Sequence, residues 1–485
     1  MPEIRFGPFL GGITGEPENN TQVSFDDCQH FDVFTNPFLL TPYRDLEANE
    51  DKTFTITDFE YANDTLFGQG RNTGDTKVKI YEKASNAIDD DWTAATGSEA
   101  ASVGATNRGT FKHYKNYIYG VRANTSVYRW GDITGTPTFT EGFGTISSVS
   151  GKRVSEGIIA KDDVLYIPHD TDLASVDDSA TFTAVAFDLP DEITSLENWG
   201  NYLAIATKGD GITTNSRVFL WNLIDADPSE VVDWGREELF LIGRLGDALY
   251  GVSLTEGTSL SFDQSLVIKR WAGGQEAEVI FQKNLGGTGY SITKHRHVED
   301  NRISFGLSKN DNSETNKGIW AIGRKNAKFP VIVNHEIKAI NDEAITTIEN
   351  FFKLGDHYFI AHSTDGSVDR TDNAANFTAT SFVETEIFNG GDPTKEKNMK
   401  GVTVSYKPLP ANGQAVLKVK VNRASSWSTV FTETTNDATE TFETRLGAST
   451  HFNRFKEIQF RIESTGKAEI LGLRAEWEFT GSKID

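Results

Sequence analysis

The 485-residue chain has one cysteine, Cys28, and two methionines. A single thiol excludes an intramolecular disulfide and a cysteine-based zinc site. It suits a protein made in a reducing compartment better than a small disulfide-stapled secreted domain. Long apolar runs are missing too. Stretches such as VFLW at 218–221 are far too short to cross a membrane, so no membrane span is expected. The opening MPEIRFGPFL lacks a basic region followed by a long apolar run, so no signal peptide is expected. Blocks of like charge are absent as well. Acids outnumber bases 70 to 47, giving a net charge of -23, but they are spread along the chain. Such a surface repels nucleic acid and anionic lipid, which argues against a conventional DNA-binding role.

What is present belongs to a β protein: short strand-like runs, 32 Phe, 43 Gly and abundant Thr, Asn and Asp. An internal repeat organises them. An Asn or Asp, any residue, then a mostly apolar pair recurs as DTLF at 64, NYIY at 116, DVLY at 163, NYLA at 201, DALY at 247, NRIS at 301 and DHYF at 356, roughly 40 to 55 residues apart. A second turn former often precedes it, and such dipeptides close tight hairpins. Half-apolar runs precede each turn (ITSLENW at 193, ELFLIGRL at 238). Others follow it (KVKIYEK at 77, RVFLWNL at 217, GIWAIGR at 318). A last run closes the unit (TFTAVAF at 181, EAEVIFQ at 276, PVIVNH at 330, NFTATSF at 376). Four short strands per unit predict β-propeller blades, seven in number. Residues 341–355 also fit helix spacing through Ile345, Ile348 and Phe352, but their place in the repeat predicts a strand.

The repeat stops near 385, and NGGDPTKEKN at 389–398 reads as a boundary. Beyond it apolar residues alternate strictly. Ile458, Phe460 and Ile462 share one face, and so do Leu471, Leu473, Ala475, Trp477 and Phe479. This predicts a β-sandwich, jelly-roll-like, over 389–485, after a propeller over 51–388. Residues 1–50 fit neither pattern. Their GPFLGGITGEP and NPFLLTPYRD segments read as an extended N-terminal arm, packed on its own propeller or clasping a neighbouring subunit. The expected fold class is all-β: an irregular seven-bladed β-propeller, a C-terminal β-sandwich and the arm.

Few segments suggest chemistry. In KHRHVED (294–300), His295, His297 and Glu299 would share a strand face, as zinc ligands do, but a strand end before a turn is the plainer reading. KNDNSETNKG (309–318) is oxygen-rich without a calcium-loop register, and DDD at 89–91 reads as a solvated turn. Ser363 and Asp365 fit a sialidase turn, but Ser367 and Arg370 occupy its Gly and Trp positions, so the segment reads as a hairpin of the seventh blade. Trp130, Trp221, Trp271 and Trp320 recur in third strands, where blade packing explains them better than sugar stacking. No nucleophile elbow, phosphate loop or His-Glu-x-x-His motif is present. No catalytic, cofactor-binding or metal-binding residue is assigned, no cofactor is expected, and the chain is read as a non-enzyme.

The arm with HFDVFTNPFLLTPYRD (31–46), the VYRWGD-type strands and the closing NRFKEIQFRIESTGKAEILGLRAEWEF together resemble bacteriophage tail proteins, in particular the propeller-bearing tail nozzle of short-tailed phages. The resemblance implies a structural virion protein made in the host cytoplasm. It would form a homo-oligomeric ring with other tail proteins and let DNA pass without specific binding. The alternative is a carbohydrate-binding protein that recognises a host surface glycan, and behind that a glycoside hydrolase.

Overall fold

The computed structural model describes residues 3–9, 12–13, 24–36, 38–48, 54–72, 78–84, 92–99, 110–122, 126–146, 157–209, 213–255, 263–299, 301–309, 316–338, 348–355, 357–362, 368–371, 377, 379–443 and 454–480. Every regular element among them is a strand, and no helix is long and apolar enough to cross a membrane. The chain forms two compact units. One holds residues 46–317 and 339–373; the other holds 1–45, 318–338 and 374–485.

The first unit is the propeller. Blades 1 to 5 are four-stranded antiparallel sheets of consecutive strands. Their first strands are Phe54–Ala62, Phe111–Tyr114, Ile159–Lys161, Ile193–Trp199 and Glu238–Leu245. Blade 6 begins with the hairpin Tyr290–Glu299 and Arg302–Lys309, and blade 7 contains Ile348–Leu354, His357–His362 and Val368–Thr371. The repeated Asx positions lie at the turns between first and second strands. Asn63, Asp64, Lys115, Asp162 and Asp163 take left-handed backbone there, as do Gly200, Gly246 and Gly355. Residues 348–354 are a strand, as the repeat requires, and 341–347 lie outside the described residues.

Apolar side chains of neighbouring blades interlock. Trp130 of blade 2 packs on Phe67 of blade 1, with ring centroids 5.6 Å apart. Trp221 of blade 4 stacks on Phe187 of blade 3 at 4.5 Å, and Trp271 of blade 5 meets Trp199 of blade 4 at 5.5 Å. All three are nearly inaccessible, so their recurrence is blade packing. A further cluster joins Ile56, Phe59 and Trp92 of blade 1 to Phe359 and Val368 of blade 7 and completes the circle.

The seventh blade departs from expectation. Its fourth strand is Leu46–Ala48, from the segment read as the arm, and not the run at 376. Pairs Thr371↔Leu46, Arg370↔Glu47 and Asp369↔Ala48 form the ladder, and Arg370 of the sialidase-like segment is buried beside Glu47. A strand that precedes the first blade in sequence thus completes the last one. The run expected there, 376–382, overlaps the strand Ser381–Thr385, which belongs to the other unit. Gly318–Gly323 and Ile332–Lys338, expected as the third and fourth strands of blade 6, do follow Tyr290–Glu299 and Arg302–Lys309 as consecutive strands of one sheet.

The second unit is built from two main sheets, with a small two-stranded one of Phe31–Asp32 and Thr41–Pro42. One runs Glu3–Phe6, Ile470–Phe479, Lys397–Tyr406, Glu440–Glu443. The other contains, in order, Ile332–Lys338, Ser24–Gln29, Ser381–Thr385, Ile458–Thr465, Gln414–Val421 and Ser428–Glu433. The described residues between 3 and 48 are thus not a free arm. They supply strands inside their own chain and bury Phe6, Phe9, Phe25 and Phe31 completely. The expected alternation holds at Ile458, Phe460, Ile462, Leu473, Ala475 and Trp477, all buried. It fails at Leu471, which is exposed. Ser405 pairs with Gly472 and Tyr406 with Ile470, so the bulge turns Leu471 outward and Ile470 inward.

Candidate functional site

At the first strands of five of the repeats, two residues stand at the propeller axis. They stand five and four positions before the turn Asx: Phe59 and Glu60, Phe111 and Lys112, Ile158 and Ile159, Arg296 and His297, Phe351 and Phe352. With Leu196 of blade 4 they surround a cavity of about 350 Å³, so six of the seven blades contribute. A strand's alternation sends neighbouring side chains to opposite faces. At the axis, where the first strands of the blades approach one another, both faces meet neighbours.

The polar groups here are paired across blades. Lys112 Nζ of blade 2 donates to Glu60 of blade 1 at 2.9 Å. Burial raises the Glu60 carboxyl above its ordinary pKa, and Lys112 opposes that shift. Asp58 of blade 1 accepts from Asn350 of blade 7 at 2.6 Å and from the Phe111 amide of blade 2 at 2.7 Å. Arg296 extends from blade 6 to blade 4. It donates to Ser195 Oγ at 2.9 Å, to the Leu196 carbonyl at 2.7 Å and to Glu197 at 2.8 Å. Lys353 of blade 7 donates to both oxygens of Glu299 in blade 6, at 2.8 and 3.0 Å, and Arg302 Nε lies 3.0 Å from the same carboxylate. Burial pushes Glu299 upward, but these two cations outweigh it and its pKa falls below the ordinary value.

His297 and Glu299 do share a strand face, with Nε2 3.9 Å from the carboxylate. The imidazole packs edge-on against Phe352 at 5.3 Å, and burial lowers its pKa to about 4, so it is neutral near pH 7. The expected solvated strand end is therefore half-buried, with His297 in the cavity wall. The side chain of His295 lies outside the described residues, as do Ser363, Asp365, Ser367, the acids at 89–91 and residues 310–315. Among the described residues no group of three His, Cys, Asp or Glu is placed to hold a metal ion.

Sequence reasoning passed over Glu60, Lys112 and Arg296. The signal lay in the repeat. The position five residues before the turn reads Phe59, Phe111, Ile158, Leu196, Ile242, Arg296, Phe351, so a single charge interrupts an apolar ring.

The unit holding this site is an irregular β-propeller by its sheets. No protein-family model and no curated protein sequence matches the chain. Similar solved structures include an oligogalacturonate lyase in complex with manganese (TM-score 0.42, 10% identity, 70% of this chain and 97% of that one). Another is the WD40 domain of Neurospora crassa Pan2 (0.41, 10%, 68% and 97%). A third is the exo-β-1,3-galactanase of Phanerochaete chrysosporium with galactose (0.30, 11%, 96% and 99%). At these scores the likenesses carry no functional weight.

Proposed function

We propose that the chain is a structural virion protein of a tailed bacteriophage. Its copies build a ring at the distal tail, with other tail proteins, around the passage through which DNA leaves. The role is assembly and not catalysis. The observation that carries the reading is a set of apolar side chains offered to solvent on the fourth strands of three consecutive blades. Val185 of blade 3 is 50% exposed, Val231 of blade 4 is 42% and Val279 of blade 5 is 52%. Apolar side chains exposed on consecutive outer strands are what a partner's surface covers, and natural proteins otherwise guard such strands with charge. The sequence resemblance to tail nozzles supports the same reading. So does the net charge of -23, since carboxylates along a conduit repel the DNA backbone and leave it free to slide. The segment read as an arm is occupied within its own chain, so the ring contact is assigned to the blades.

Light scattering across a concentration range tests this. The wild-type protein is expected to form closed oligomers as concentration rises, and the V185K/V231K/V279K variant to remain monomeric with unchanged thermal unfolding. A wild-type protein that stays monomeric at every concentration, alone and with its neighbouring tail proteins, removes the reading. The glycan-binding alternative is favoured by the axial cavity. A glycosidase is not, because Glu60 and Glu299 are each committed to a lysine.

A further inference from the structure

The axial cavity is more than a packing defect. Six of the seven residues in the ring five positions before the turn are apolar, which is what inter-blade packing asks for. Arg296 breaks that ring. Three hydrogen bonds hold its guanidinium against blade 4, yet its buried Nε has no partner. A charged side chain with an unmet donor is costly in a position where Phe or Leu serves elsewhere, so packing alone does not account for it.

The rest of the wall has a consistent chemistry. Lys112, with its side chain 41% exposed, and Val298, 44% exposed, connect the cavity to solvent. Lys112 supplies a donor, and the Arg296 side chain stands in the same wall. The Glu60 carboxylate and the neutral imidazole of His297 supply acceptors. Phe111 and Phe351 supply apolar surface. The charges cancel in pairs, Glu60 with Lys112 and Arg296 with Glu197, so an anion would have to break a pair to be held. A neutral ring carrying several hydroxyls meets all these groups at once: its hydroxyls both donate and accept, and its C–H face lies on phenyl rings. The volume of about 350 Å³ lies at the small end of ligand pockets.

We propose that the propeller axis binds one neutral sugar residue, free or at the end of a glycan, between Lys112, Glu60, Arg296 and His297. The site lies within one chain, so its failure would leave the assembly proposal standing, and the reverse holds. The test is saturation-transfer NMR followed by calorimetry on the full-length protein, with glucose, galactose, mannose, N-acetylglucosamine and, as the anionic control, glucuronate. Terminally matching oligosaccharides extend the panel and separate a free sugar from a glycan end. One neutral sugar is expected to bind with Kd on the order of 1 mM. The E60Q/K112M variant removes both charges together and avoids leaving one buried alone. It is expected to bind at least roughly tenfold more weakly, with its thermal unfolding unchanged. Phe352→Ala serves as a second probe of the same wall. The proposal is overturned by any of three results: no saturation transfer from any neutral sugar, preference for glucuronate, or binding that both variants leave intact.

Discussion

The propeller and the two-sheet unit are both all-β, yet their strands find partners over opposite ranges of sequence. Blades 1 to 5 pair each strand with the next one along the chain. The other unit pairs Glu3 with Glu476, Phe25 with Thr385 and Val402 with Glu443. Local hairpins form at little loop-closure cost, whereas long-range ladders are stabilised only after much of the chain is in place. The same fold class thus arises by repetition in one unit and by convergence of distant segments in the other.

The sharpest way to break this comparison is to delete residues 1–32. Four fully buried phenylalanines leave the second unit, Phe6, Phe9, Phe25 and Phe31, at about 1.5–3 kcal/mol each or about 6–12 kcal/mol together. Hydrogen exchange read by mass spectrometry is expected to show lost protection at 397–406 and 458–479 and retained protection at 193–284. Equal loss in both places would mean that the propeller depends on the same convergence.

Two tryptophans give a smaller contrast. Trp130 fills the seam between blades 1 and 2, and Trp130→Ala is expected to cost about 3–5 kcal/mol in urea unfolding. Trp427 is half-buried under Lys420, whose ammonium lies 4.4 Å from the ring centroid. Trp427→Ala is expected to cost only about 0.5–1 kcal/mol.

Acid should also separate the units. The His297 pKa of about 4 lies below its unfolded value of 6.5, so neutral His297 adds stability above pH 6.5 that is lost as pH falls through 4. In the second unit, burial and the cross-strand neighbour Asp27 raise Glu384 to about 7, against the pull of Arg461. Its contribution has the opposite sign. It is fully present below pH 4.5 and lost as pH rises through 7, at most about 3 kcal/mol. His30 in the same unit is buried with a pKa of about 4 and therefore opposes Glu384 between these limits. Wild-type stability of this unit is expected to be nearly flat from pH 5 to 7. Glu384→Gln is expected to uncover the loss on acidification that His30 imposes. An unchanged profile in that variant, followed by hydrogen exchange at 381–385 and 458–465, would count against the assignment. Smallest of all, Glu478→Ala at the exposed pair with Lys400 is expected to change stability by less than about 1 kcal/mol.

Legibility in the sequence follows the same division. The turn dipeptides and their spacing revealed the hairpins of the blades because a hairpin is a local object. Blade 7 was misread at its outer strand because Leu46–Ala48 carries no mark of the partner it meets at 369–371. Residues 1–50 read as an arm for the same reason: their Gly and Pro content describes local backbone, not the strands that flank it. Leu471 was placed on the wrong face because a bulge shifts register without changing the alternation of residue types. At the axis, the odd Arg296 was visible once the repeats were aligned on their turns, but its reach to Ser195 and Glu197 was not, since it joins blades that are not neighbours in sequence.

The strand Leu46–Ala48 gives the molecule a timetable. A ribosome delivers it before the first blade, but its partner Val368–Thr371 emerges only after six blades have been made. At about 5–20 residues per second, the wait is on the order of tens of seconds. Glu3–Phe6 waits longer still, for Ile470–Phe479. Segments translated before the blades are completed after them, and a transcript cut short before residue 368 yields a protein whose circle has no clasp.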